Sequence, residues 1–80
     1  MNSANEKKLV EIFTVILELE NDNKNILSIS RLTEENWDSL AHVSIVAAIE
    51  SEFGLNLESS DMERMSSFAE TRLLLEEKGL

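Results

Sequence analysis

Apolar positions along this chain recur at helical spacing, in blocks separated by polar breaks. Leu9, Ile12, Phe13, Ile16 and Leu19 share one helical face, and Val10, Val15 and Leu17 widen it. The pattern predicts a first helix over residues 5–20, capped by Ser3 or Asn5. Asn21-Asp22-Asn23-Lys24-Asn25 is a run of turn formers that ends it. Residues 26–38 lack a clean period. Ile26, Leu27, Ile29 and Leu32 are apolar enough to pin this stretch onto helices. Ser28-Ile29-Ser30 alternates like a strand, but the sequence supplies no partner strand. The expectation is a loop of about a dozen residues, a length that in compact domains usually serves function.

The second helix is the clearest. Asp38 is a good N-cap, Ser39 opens the first turn, and Gly54 follows Phe53 as a C-terminal glycine stop. Between them Leu40, Val43, Val46, Ala47, Ile49 and Phe53 are expected to form the buried stripe, with Ile45 on its flank. Leu55 and Leu57 anchor a short connector. Residues 58–64 form a short third helix or turn capped by Ser59 or Ser60. Ser66-Ser67 caps a last helix over residues 68–78, with Phe68, Ala69, Leu73, Leu74 and Leu75 apolar and Gly79 at its end. The expected fold is all-α: one domain over residues 1–80, a small four-helix bundle of three longer helices and one short, with a long loop between helices one and two.

Composition narrows the function. Eighty residues bury one modest core. There is no cysteine and one histidine, which excludes disulfides, thiolate metal sites and a His-rich zinc centre. No stretch is apolar and long enough for a signal-peptide core or a bilayer span, so a cytoplasmic protein is expected. The formal charge is −9. That argues against nucleic-acid binding, which draws on Lys and Arg at phosphates, and favours basic partners. Residues 33–62 carry Glu34, Glu35, Asp38, Glu50, Glu52, Glu58 and Asp61 with no Lys or Arg; the bases lie outside.

Ser39 is the candidate for chemistry. At the first helical position its hydroxyl lies near unpaired backbone N–H groups and the positive end of the helix dipole, which favour a phosphate. The plain alternative is that Asp-Ser is only good capping chemistry. Ser39 and His42 also share a helix face, which invites a hydrolase reading. Asp38 is poorly placed to orient His42, however, and a small bundle encloses little. Asp22, Glu34, Glu35 and Asp38 do not follow the spacing of a calcium loop.

Asp38-Ser39-Leu40, followed in register by Val43, Ile45-Val46, Ile49-Glu50 and Phe53-Gly54, resembles the acyl carrier protein family. The resemblance extends over essentially the whole chain. It implies that Ser39 carries 4′-phosphopantetheine, transferred from coenzyme A by a Mg²⁺-dependent phosphopantetheinyl transferase, with Asp38 and Leu40 flanking the attachment. It implies no catalysis by the chain itself. Its arm would hold acyl or aminoacyl groups as thioesters for loading and downstream transfer enzymes with basic docking surfaces. Trp37, Ala41, His42, Ser44, Glu50, Glu52, Glu58 and Asp61 are the expected partner contacts on a free-standing monomer.

The chain also departs from that family. Fatty-acid carriers usually place an acidic-Leu-Gly-x run before the motif; here Glu34, Glu35, Asn36 and Trp37 stand there. Asn36 is expected to supply the left-handed turn of the missing glycine. Trp37 either packs on the loop or contacts a partner or the arm. Ala41, Ser44, Ala48 and Ser51 replace acids on the expected outer face of helix two, leaving Glu50 and Glu52 near its end. These departures point to a specialised carrier with a dedicated loading enzyme. Long chains would enter past Val46, Ile49 or Leu57. The rival reading is an unmodified acidic helical interaction module.

Overall fold

Asn2 opens the first helix: its side-chain oxygen accepts the Asn5 N–H at 2.8 Å. The computed structural model describes residues 1–19 and 25–80. Helix α1 runs Ser3–Ile16, so its cap lies one residue before Ser3 and its end comes four residues before the expected position 20. Leu19 N–H bonds the Thr14 carbonyl at 2.9 Å, Glu18 N–H reaches Val15 at 3.4 Å, and Glu18 takes φ 55°. This is a Schellman closure with glutamate in the place usually held by glycine. The expected turn at residues 21–24 lies outside the described residues.

A short 3₁₀ turn, Ile26–Ser28, follows. Ile29 is buried, but Leu27 is exposed and Leu32 is 98% exposed, so these two do not pin the loop. Ser30 does have a partner: it forms an isolated antiparallel bridge with Ser67. Arg31 N–H donates to the Ser66 carbonyl at 2.9 Å and Phe68 N–H to Ile29 at 3.0 Å. The partner is the link between the last two helices, not a strand, so sequence alternation gave no sign of it.

Helix α2 spans Ser39–Phe53 as expected, between Asp38 and a left-handed Gly54 at φ 64°. Its buried residues are Ile45, Val46 and Ile49. Leu40 and Val43, expected inside, are 77% and 65% exposed, and Ala47 also faces out. Helix α3, Ser59–Arg64, is capped by Glu58, whose N–H donates to the Asp61 carboxylate at 3.0 Å, rather than by Ser59 or Ser60. Helix α4, Phe68–Glu77, begins at Ser67, whose hydroxyl accepts from Glu70 N–H. It buries Phe68, Thr71, Leu74 and Leu75, while Ala69 and Leu73 are exposed.

The four helices make an all-α bundle in which α1 packs on α2 and α4, and α4 on α3 and the 3₁₀ turn. Phe13 is at its centre. Its ring meets Trp37 edge-on at 5.2 Å and Phe68 at 5.0 Å. Full burial of such side chains contributes roughly 1.5–3 kcal/mol each. The bases of α3, of α4 and of its C-cap pair internally: Arg64 with Glu77, Arg72 with Glu6 and Glu76, Lys78 with Asp61. That leaves the acids of residues 34–58 without a cationic partner among the described residues. No helix among the described residues is long and apolar enough to cross a membrane.

Candidate functional site at the start of α2

Two loop residues fix the entry to α2. The Asn36 amide donates to the Leu17 carbonyl at 2.8 Å, and so ties the loop to the end of α1. Asn36 does not take a left-handed backbone; among the described non-glycine residues Glu18 alone does. The turn is made instead by Trp37 N–H donating to the Glu34 carbonyl at 3.1 Å, with Asn36 N–H on the Glu34 carboxylate at 3.2 Å. Trp37 is buried, 3% exposed, which leaves no surface there for a partner or an arm. Its ring holds the loop in the core.

Asp38 then caps the helix. Its Oδ1 accepts from Ala41 N–H at 2.8 Å, and its carbonyl accepts from His42 N–H at 2.9 Å. Ser39 is exposed, and its hydroxyl makes no hydrogen bond to the described residues. The backbone N–H groups of Ser39 and Leu40 likewise have no acceptor there. Two unpaired donors beside a free hydroxyl, at the positive end of a fifteen-residue helix, suit a phosphate linked through Ser39 Oγ.

His42 is committed elsewhere. Its Nδ1 accepts from the Trp37 indole N–H at 3.0 Å, and its other nitrogen lies 3.0 Å from the Met62 carbonyl. Indole only donates and a carbonyl only accepts, so the ring is the neutral Nε2–H tautomer. Burial lowers its pKa from 6.5; the Met62 hydrogen bond acts against this, and Arg31 adds to the lowering. His42 is half-buried and joins loop, α2 and α3, and with both nitrogens engaged it does not stand beside Ser39 as a base.

The remaining expected contacts divide by environment. Ser44, Glu52 and Glu58 are exposed, and Ala41 is half-buried against the core. The Glu50 carboxylate accepts from Leu57 N–H at 2.9 Å and so holds the α2–α3 connector. Asp61 takes the Glu58 N–H and lies 3.0 Å from Lys78, which together hold its carboxyl below the usual range. The outward apolar residues Leu40, Val43 and Ala47, one helix face at i, i+3 and i+7, were placed in the core by the sequence pattern. No group of His, Cys, Asp and Glu able to hold a metal ion occurs among the described residues.

Val46, Ile49 and Leu57 lie in the packed core. Open space lies instead along the α1–α2 seam. One recess of about 320 Å³ is flanked by Asp38, Leu40, Ala41 and Ser44, and a second of about 330 Å³ by Val15, Ala48, Ser51 and Glu52. Ile16 lines both. Compared with known protein families, curated proteins and solved structures, the chain matches none.

Proposed function

We propose that the chain is a carrier protein whose Ser39 takes a 4′-phosphopantetheine arm from coenzyme A. The observation that carries this reading is the state of Ser39: an exposed hydroxyl without a partner among the described residues, at the first position of a capped helix, beside two backbone N–H groups without acceptors there. Attachment forms an Oγ–phosphorus bond and breaks the pyrophosphate of coenzyme A. Adenosine 3′,5′-bisphosphate leaves, and the hydroxyl proton passes to a base of the transferase. Asp38 uses one carboxylate oxygen as the helix cap, and its other oxygen is free to meet a Mg²⁺ brought by that enzyme. The bound arm supplies a terminal thiol that holds acyl or aminoacyl groups as thioesters.

The chain's own part is tethering and presentation. A cargo fixed to Ser39 meets each partner at raised effective concentration. Leu40 and Val43, exposed next to the attachment point, offer an apolar contact, and the acids of residues 34–58, without a cationic partner among the described residues, suit basic docking surfaces. The reading has Ser39 modified rather than acting as a turnover nucleophile, because both His42 nitrogens are engaged by Trp37 and Met62. It has the protein working as a monomer in the cytoplasm, for a specialised biosynthetic pathway, with a transferase, a loading enzyme and downstream transfer enzymes as partners.

Intact mass after incubation with coenzyme A and a promiscuous phosphopantetheinyl transferase tests it. The expected result is a gain of one phosphopantetheine, abolished by Ser39→Ala. No gain under conditions that load a control carrier would favour an unmodified acidic interaction module.

A further inference from the structure

Helix α3 buries none of its six residues. Leu57 before it and Met65 after it are buried, and Met62 packs on the core only in part. The helix itself rests on polar ties. Toward α4 these are the ion pairs Arg64–Glu77 and Asp61–Lys78; the first lies at the surface, where such a pair holds weakly. Toward α2 the tie is His42, whose Nε2–H donates to the Met62 carbonyl at 3.0 Å. The Glu50 carboxylate holds the connector at Leu57 N–H, not the helix.

The same imidazole is held from its other side. Nδ1 accepts from the Trp37 indole N–H at 3.0 Å, with the two rings stacked. A proton on Nδ1 sets two donors face to face, and one ring has to move. The indole is 3% exposed and meets Phe13 edge-on, so turning it opens the core. The imidazole is half-buried, and in its charged form it gains hydration by turning outward. That turn gives up the Met62 carbonyl.

The charged groups on the surrounding elements leave this balance in place. Arg31, on the loop, disfavours the proton. Glu34 is engaged by Asn36 N–H and Asp38 by Ala41 N–H. On α3, Asp61 is held by Glu58 N–H and Lys78, and Arg64 by Glu77. Glu35, Glu58 and Glu63 are exposed to water.

We infer that Trp37, His42 and Met62 form a proton-operated latch: a proton on Nδ1 turns the imidazole out, the Met62 carbonyl loses its donor, and α3 comes away from α2 while α1, α2 and α4 stay packed. Trp37 and His42 stand on either side of Ser39 in the chain, so the latch brackets the turn that carries its hydroxyl. It works without any group attached at Ser39, and its test is independent of the carrier reading.

The chain has one tryptophan and one histidine, so NMR reads both ends of the latch directly. The amides of Met62 and Met65, bonded to the carbonyls of Glu58 and Met62, report on α3 by hydrogen exchange, and those of Ile49 and Leu74 report on the core. With α3 open, His42 titrates near its ordinary value of about 6.5. The opening constant of α3 should therefore rise about tenfold between about pH 7.5 and 5.5, with α3 less protected than the core at both ends. His42→Gln, which keeps a polar donor and takes up no proton, should abolish the rise. Trp37→Phe removes the opposing donor and should raise the pKa of His42, read from its ring C–H signals. A protection of α3 that does not change with pH, that equals the core's throughout, or that falls as much in His42→Gln would overturn the inference, as would an unmoved His42 in Trp37→Phe. Where a variant does not fold, the wild-type comparison of α3 with the core decides alone.

Discussion

The indole N–H of Trp37 donates to Nδ1 of His42 across 3.0 Å. That bond, with the Met62 carbonyl on the opposite nitrogen, closes a link from the loop through α2 to the end of α3. It exists only while the imidazole is neutral, because a protonated Nδ1 would face a second donor.

A pH dependence follows. Burial holds the folded-state pKa of His42 below 6.5, while in the unfolded chain it titrates near that value. As pH falls below about 6.5 the unfolded state takes up the proton first, so stability declines. Above that pH the contribution is fully present. Urea midpoints measured between about pH 7.5 and 5.5 should therefore fall with pH, and His42→Gln should flatten the slope. An unchanged slope in the variant would assign the dependence to other groups.

Glu18 is the strained non-glycine point of the backbone among the described residues. A non-glycine residue in the left-handed region costs about 1–2 kcal/mol, and a carboxylate at the end of α1 also opposes the helix dipole. Glycine removes both but enlarges the unfolded ensemble. Glu18→Gly should raise stability by about 0.5–1 kcal/mol, or several degrees in Tm for a domain of this size. A lower Tm would mean that the glutamate side chain holds the closure.

Glu50, one of the expected partner contacts, satisfies Leu57 N–H within the fold. Glu50→Ala leaves that half-buried donor unpaired and should cost about 1–2 kcal/mol. Glu50→Gln keeps an acceptor oxygen and should cost less than half as much. Chemical denaturation of the three proteins separates the cases; equal losses would place the effect in charge rather than in the bond.

How much was legible depended on whether a signal was local. The span of α2 could be read because Asp38 and Gly54 mark both ends with residues suited to those backbone conformations. The end of α1 could not, since its left-handed closure falls on Glu18, which carries no such mark. The buried face of α2 was misread for a different reason. Apolar residues at 40, 43, 45, 46, 47, 49 and 53 surround the helix, so periodicity has no direction, and tertiary packing, with α1 the main helix against α2, selects Ile45, Val46 and Ile49. At the site, the position of Ser39 and the Asp38 cap were readable from neighbours in sequence. The ties from Asn36 to Leu17 and from His42 to Met62 join residues 19 and 20 positions apart, and no local pattern encodes them.

That misreading yields the sharpest test of the proposed function. Leu40 and Val43 are 77% and 65% exposed on one face of α2, so they contribute little to folding. Leu40→Ser and Val43→Ser should each change stability by no more than about 0.5 kcal/mol, whereas Ile49→Ser, buried on the same helix, should cost several-fold more. If the apolar face serves docking, both outer variants should still be modified at Ser39, but more slowly and with a raised KM for the transferase. Removing apolar contact at the centre of an interface weakens binding without touching the acceptor hydroxyl. Initial rates by intact mass, alongside urea midpoints, read both quantities. Wild-type kinetics in both variants would move the docking surface away from this face, and a stability loss above about 1 kcal/mol would return the two side chains to the packing of the fold.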